Sequence, residues 1–253
     1  MPASRPLLGF TSLVLLAGGI LLQFLVILSG TTQSNPENQI YFLQTSTNGI
    51  PGARNPSRWT FFSICGVDGN GRNTDCGATV PALPFSPPNP HDFGTAVGVP
   101  PDFIGTNHYF YLSRFMFAFY LVALFFSVIS LFTGLLALCS RLGGYISALN
   151  VGIALFFQSL AASLLTACFV QGRDAFRRAG QQASIGVKAF AFTWAALFCF
   201  LLCTVLFCIG GSVSKQSSSS RRRGGVFGRK ASTRSRGSFI DTESQRRVKD
   251  EYE

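Results

Sequence analysis

The sequence predicts an all-α transmembrane bundle of four helices, with a small disulfide-pinned antiparallel β-sheet in its first extracellular loop. Three observations carry that expectation. Four long apolar runs are spread along 253 residues that are 47% hydrophobic and only 13% charged, with a mean hydropathy of +0.33. Such a composition belongs to a membrane protein rather than to soluble domains of this length. The polar stretch between the first two runs contains two strand-like aromatic segments and two cysteines, Cys65 and Cys76, near enough in sequence to pair.

Residues 1–6, with Arg5, form a short cytosolic N-terminus, and residues 7–28 form an uncharged apolar run. At 1.5 Å per residue its roughly 22 residues cross a hydrocarbon core. A cleaved signal peptide has an apolar region of about 7–15 residues, so this longer run is expected to stay in the membrane. Residues 29–108 turn to Pro, Gly, Asn, Thr and Ser. A connection of about 80 residues is too long to be idle and is expected to hold its own structure. Residues 40–45 and 59–65 are its strand-like runs, separated by turn formers at Asn48-Gly49 and Asn55-Pro56. The proline-rich stretch 81–88 cannot enter a ladder and is expected to lie extended over what the sheet leaves exposed.

The second span, residues 109–138, opens on Tyr109-Phe110-Tyr111 with Arg114 just inside, an interfacial belt with a snorkelling cation. A cytosolic turn over 139–144 joins it to the third span, 145–170, so these two helices are antiparallel neighbours. Residues 171–187 read as a short polar extracellular loop with Arg173, Asp174, Arg177 and Arg178, and residues 188–211 as the fourth span. Four spans put both termini on one side. The arginines of 171–187 argue for the inverted orientation, but Arg5, Arg141 and the cluster Arg221, Arg222 and Arg223 place both termini in the cytosol. Cys65 and Cys76 then face an oxidising compartment, as pairing requires.

The net charge of +10 points away from nucleic acid once its distribution is seen. Residues 212–253 carry eleven Lys/Arg against five Asp/Glu, so +6 of the +10 lies in a basic cytosolic tail expected to be disordered. Arg221, Arg222, Arg223, Arg229 and Lys230 lie within reach of an anionic inner leaflet, each contributing about 1 kcal/mol close to the surface. Ser232, Ser235 and Ser238 stand beside basic residues as kinase-type sites, and phosphorylation there would weaken the membrane contact.

Closing the ten residues between Cys65 and Cys76 contributes on the order of 3 kcal/mol in the chain-entropy model. His91 and His108 lack the paired spacing of a metal site, and no metal or other cofactor is expected. Cys139 and Cys208, near the cytosolic ends of spans, are candidates for palmitoylation. Gly144, Ala148, Gly152, Ser159, Ser163 and Ala167 recur at small-residue spacing along the third span, an expected packing ridge inside the bundle or, as the alternative, toward a second copy of the chain. The spans hold no Asp, Glu, Lys, Arg or His beyond Arg114 and Lys188 at their borders, which argues against transport. Gln23, Asn150 and Gln158 offer hydrogen bonds between helices. No nucleophile motif or phosphate-cradling loop occurs, so the chain is expected not to be an enzyme.

Arg58-Trp59-Thr60 with Cys65 and Cys76-Gly77, Pro84-Phe85-Ser86-Pro87-Pro88, Phe93-Gly94-Thr95, Tyr111-Leu112-Ser113-Arg114-Phe115 and Phe190-Ala191-Phe192-Thr193-Trp194 follow one another in an order that resembles the fungal Sur-seven/PalI family, tetraspan plasma-membrane proteins similar in plan to claudins. The likeness runs from the first span to Gly211. It implies a place in eisosome-associated membrane patches, with roles in cortical organisation, cell wall and endocytosis, and other plasma-membrane or cell-wall proteins as partners. The PalI branch implies instead a membrane component of ambient-pH signalling; its longer tails favour the Sur-seven side here. A third reading is a tetraspan regulator of a channel or of membrane fusion. The related family acting in mating and calcium influx has a glycine-centred motif ahead of its first cysteine, where this chain has Phe61-Phe62-Ser63-Ile64.

Overall fold

The computed structural model describes residues 4–137 and 141–223, with side chains over 7–136 and 143–209. In order, the elements are α1 (Ser4–Ile27), β1 (Leu43–Thr45), β2 (Ser57–Trp59), β3 (Ile64–Val67), β4 (Asn73–Thr74), α2 (His108–Ala137), α3 (Arg141–Arg178), β5 (Ala183–Ile185) and α4 (Val187–Arg223). Four helices are long and apolar enough to cross a membrane: Leu7–Ile27, His108–Leu136, Gly143–Arg178 and Val187–Ile209. The chain divides into two units at Gly210 and Gly211, and the bundle and the sheet belong to the first.

The bundle buries polar side chains beside an apolar core that includes Leu16, Met116, Tyr120, Leu165 and Phe200. Ser12, Gln23, Ser127, Ser130, Ser147, Gln158 and Thr193 are buried together with small residues such as Ala123, Ala154, Ala161 and Ala196, whereas Phe115, Phe125, Phe132, Phe156, Phe198 and Leu201 face outward. In lipid, large apolar groups lose nothing by exposure, and packing plus interhelical hydrogen bonds decide the interior. Gln23 Nε2 donates to Gln158 Oε1 at 2.6 Å, Gln158 Nε2 to the Thr193 carbonyl at 3.2 Å and Ser127 Oγ to Gln23 Oε1 at 3.4 Å. The Tyr120 hydroxyl meets that of Thr193. One polar seam thus ties all four helices, and Asn150 has no part in it. Gly19 lets α1 approach α4, since a Cβ there would lie 2.8 Å from the Phe200 ring.

The five strands form one antiparallel sheet in the order β4-β3-β2-β1-β5. Leu43 pairs with both Trp59 and Ile185, and Arg58 pairs with Cys65. Two expectations are corrected here. The run 59–65 is two strands rather than one: the Thr60 amide donates to the Ser63 carbonyl at 3.1 Å, and the Thr60 hydroxyl to that same carbonyl at 2.7 Å, closing a turn. The turn drives Phe61 into the top of the bundle, 5.2 Å from Phe117 and 5.4 Å from Tyr120 between ring centroids.

The second correction concerns 171–187, which is not a loop. α3 continues to Arg178 and the chain returns through β5 to the sheet edge. At 38 residues α3 is about 57 Å long, nearly twice the roughly 30 Å hydrocarbon core, so its last turns rise clear of the membrane. That extension is apolar on the side meeting the sheet, where Phe169 stacks 4.9 Å from Phe42 and Phe176 lies 5.7 Å from Trp59. Two glycines permit the junction. A Cβ on Gly172 would lie 2.6 Å from the Phe85 ring, and one on Gly186 would meet the Tyr41 carbonyl oxygen at 1.7 Å.

Candidate functional site

The Arg58-Trp59-Thr60 motif and the disulfide occupy the middle of the sheet. Arg58 is 6% exposed, yet among the described residues no carboxylate forms an ion pair with it. Its Nε donates to Gln44 Oε1 at 2.8 Å, and Nη1 to the Gly71 carbonyl at 2.9 Å and to Asn73 Oδ1 at 3.0 Å. The guanidinium lies 4.0 Å above the Tyr41 ring. Burial lowers its pKa from the ordinary arginine value, against the opposing pull of Tyr41 and Asp68. Asn73 also donates to the Ile40 carbonyl at 2.9 Å, so a single cation gathers β1, β2, β4 and the turn between β3 and β4.

Cys65 and Cys76 are disulfide-bonded, with a sequence separation of 11. The bond closes the β3–β4 hairpin next to Arg58, and the Gly77 amide continues the pairing to the Ile64 carbonyl at 2.9 Å. Trp59, 1% exposed, packs edge-on to Phe85 at 5.4 Å and Phe93 at 5.5 Å. The stretch 81–88 covers the sheet but is not extended throughout, since 81–82 and 87–88 are turns and Ala82 has φ +53°; between them Phe85 enters the core among Trp59, Phe103, Tyr109 and Phe169, and its amide donates to Ser113 Oγ at 3.0 Å.

Asp92 is a group the sequence alone did not single out. Its Oδ2 accepts the Ser86 amide at 2.7 Å, while Oδ1 and the Trp59 indole nitrogen are buried without a hydrogen bond. Burial raises the Asp92 carboxyl from 3.8 to about 7, opposed by the Ser86 amide and the nearby indole. Asp-Phe after a proline-rich stretch gives no pattern from which that burial could be read.

Above the membrane the arginines of α3 are absorbed by structure. Arg177 Nε donates to the Ala183 carbonyl at 2.8 Å, and Arg178 pairs with Asp102 at 3.0 Å. Arg114 lies 5.4 Å over Phe110, consistent with an interfacial cation. A groove of about 630 Å³ beside β1 and β5 presents Gln44, Asn55, Arg177, Gln182 and Ser184.

The other expected site residues are not brought together. The buried stripe of α3 runs through Gly143, Ser147, Val151, Ala154, Gln158, Ala161, Leu165 and Cys168. The expected ridge is offset from it: a Cβ on Gly144 or Gly152 would meet nothing within 4 Å, Ser159 and Ser163 bond only to their own helix, and Ala167 is half-buried. Only Ala148 of that set packs against the bundle core. The ridge therefore borders the buried face without being it, half-buried except for exposed Ser163, because the helix buries the face one residue away, where Gln158 finds its partners. Cys208 is exposed on α4. Backbone helix reaches Arg223, including 212–223 where a disordered tail was expected to begin. Cys139, Arg229, Lys230, Ser232, Ser235 and Ser238 lie outside the described residues, as do the side chains of Arg221, Arg222 and Arg223.

Four apolar helices carrying a disulfide-pinned sheet at one end define a multi-pass membrane protein of the four-span class. The chain belongs to the SUR7/PalI family, whose model matches residues 8–206. It is 38% identical over 203 residues to "Protein SUR7" of Candida albicans, covering 79% of this chain and 73% of that relative. Over 190 residues it is 38% identical to "SUR7 family protein FMP45" of Saccharomyces cerevisiae, 74% of this chain and 60% of the relative. A third relative, "Uncharacterized plasma membrane protein YNL194C" of Saccharomyces cerevisiae, is 32% identical over 204 residues, 78% of this chain and 67% of the relative.

Proposed function

We propose that this protein is a non-enzymatic plasma-membrane component that organises eisosome-type patches, with both termini in the cytosol and the sheet outside. The observation that carries the reading is the rigid coupling of sheet and bundle. α3 passes without a break from the bundle seam at Gln158 to the sheet contacts of Phe169 and Phe176, so a partner held by the sheet is held by the membrane domain too. Among the described residues no Asp, Glu, Lys, Arg or His is buried in the bundle. The interior therefore offers a passing solute or a reaction little to work with. The plasma-membrane placement follows the name of one relative, and the outward sheet follows the disulfide.

In this reading the inner side works through the basic tail on anionic lipids, with phosphorylation and palmitoylation as its modulators. The outer side works through plasma-membrane or wall proteins on the sheet. A fluorescently tagged copy followed in living cells tests the proposal. Immobile, long-lived cortical patches are expected; a signal that diffuses over the surface or collects in endosomes overturns it.

A further inference from the structure

One cavity, of about 420 Å³, is lined by three cationic side chains and no carboxylate. Arg58, Arg72 and Lys188 meet there with Tyr41, Asn70 and Gln39. The cations arrive from three places: the middle of the sheet, the β3–β4 turn, and the first turn of α4. The buried guanidinium of Arg58 donates Nε and Nη1 to the neutral oxygens of Gln44, Gly71 and Asn73 and lies over the Tyr41 ring, another residue of the cavity lining. Lys188 donates to the neutral amide oxygen of Gln39, and the Arg72 side chain bonds to nothing among the described residues. The nearby carboxylates do not line the cavity, though Asp68 acts on Arg58 from outside it. Asp68 Oδ1 accepts the Asn70 amide at 2.9 Å and the Arg72 amide at 2.7 Å, and Glu37 takes the Thr31 and Thr32 hydroxyls.

Three cations on one cavity lining, with only Asp68 nearby as a counter-charge to Arg58, leave an excess of positive charge there, and an anion with several acceptor oxygens relieves it. Depth decides which anion. Lys188 is the second residue of the span Val187–Ile209, so the cavity opens at the level of lipid head groups, with Val187 on its rim. The positive end of the α4 dipole lies at the same level. We propose that this cavity holds the phosphate of an anionic phospholipid head group, in the leaflet on the sheet's side of the membrane. The naming of that leaflet as the outer one rests on the orientation proposed above; the binding itself does not.

The test uses the full chain purified in detergent, with dioctanoyl phosphatidylinositol, dioctanoyl phosphatidylcholine and inorganic phosphate as probes. The Arg72→Gln/Lys188→Gln double variant changes only exposed side chains, and its thermal unfolding is measured beside the parent's to show that the fold is kept. Phosphatidylinositol is expected to bind at least tenfold more tightly than phosphatidylcholine, and the double variant is expected to lose about tenfold or more of that affinity. Any contribution of the basic tail is common to both proteins and cancels in the comparison. Undiminished affinity in the folded double variant overturns the site. Equal binding of the two lipids overturns the anionic preference, and displacement of lipid by inorganic phosphate at equal concentration overturns a lipid occupant in favour of a soluble phosphate. None of these outcomes depends on patch residence, so this proposal and the cellular one fail separately.

Discussion

Arg58, on β2, and Asp92, in the turns that cover Trp59, are groups of opposite sign that the structure treats differently. Arg58 keeps its charge because side-chain and backbone oxygens replace water around it, with the Tyr41 ring beneath. Asp92, half-buried as a residue but with its Oδ1 enclosed, has one amide donor, and burial pushes its carboxyl up to about 7. The fold then holds a proton that the unfolded chain has already released, and by linkage stability falls as pH rises from about 4 to about 7 and is level above that. After allowance for the residue's partial exposure, the span is on the order of 2 kcal/mol. The purified protein is expected to melt several degrees higher at pH 5 than at pH 7.5, and Asp92→Asn to remove most of that difference. An unchanged pH slope in Asp92→Asn would show that another group sets it.

Among the elements, the β3–β4 hairpin depends most on a single covalent link. It is two residues deep on one side, with the Gly66–Thr74 and Val67–Asn73 pairs, too short to persist alone. Loss of the Cys65–Cys76 bond is expected to cost about 3 kcal/mol and to retain the protein in the secretory pathway. Cys65→Ser, Cys76→Ser and the double variant should be equally impaired, since each removes the same bond; additive damage in the double variant, read from surface delivery and thermal unfolding, would separate the two cysteines. This hairpin was legible beforehand because its signal is local: two cysteines, a glycine-rich bend and a β-rich run. The four spans were legible for the same reason, as uninterrupted hydropathy. What the sequence hid was long-range. The continuation of α3 past Val170 looked like a polar loop because Arg173, Asp174, Arg177 and Arg178 dominate its composition, while the two residues that anchor it, Ala175 and Phe176, are too few to make a pattern. The acceptors of Arg58 and the burial of Asp92 likewise come from residues 13 or more positions away or from a proline-rich cover without periodicity. The small-residue spacing marked one face of α3 but not which neighbour that face would meet.

At the scale of the whole molecule, the connections 28–107 and 179–186 both leave the bundle at one end, so a single topological fact fixes where every outer residue lies. The arginines of 171–178, which by count alone favour a cytosolic placement of this end, have structural employment instead: Arg177 caps β5 and Arg178 holds Asp102. A loop whose cations are bonded into a fold is weak evidence about translocation, which leaves the disulfide as the stronger guide to orientation. A glycan acceptor gives a direct readout of the side. The chain contains no Asn-x-Ser/Thr sequence with a residue other than proline in the middle, and Arg72→Thr creates one at Asn70, in an exposed turn. Expressed in a fungal host, this variant is expected to gain a mass increment that a glycosidase removes, while an acceptor placed within 212–253 stays unmodified. The reverse pattern, with the tail glycosylated and the Arg72→Thr variant unchanged, would turn the molecule over and put the sheet in the cytosol.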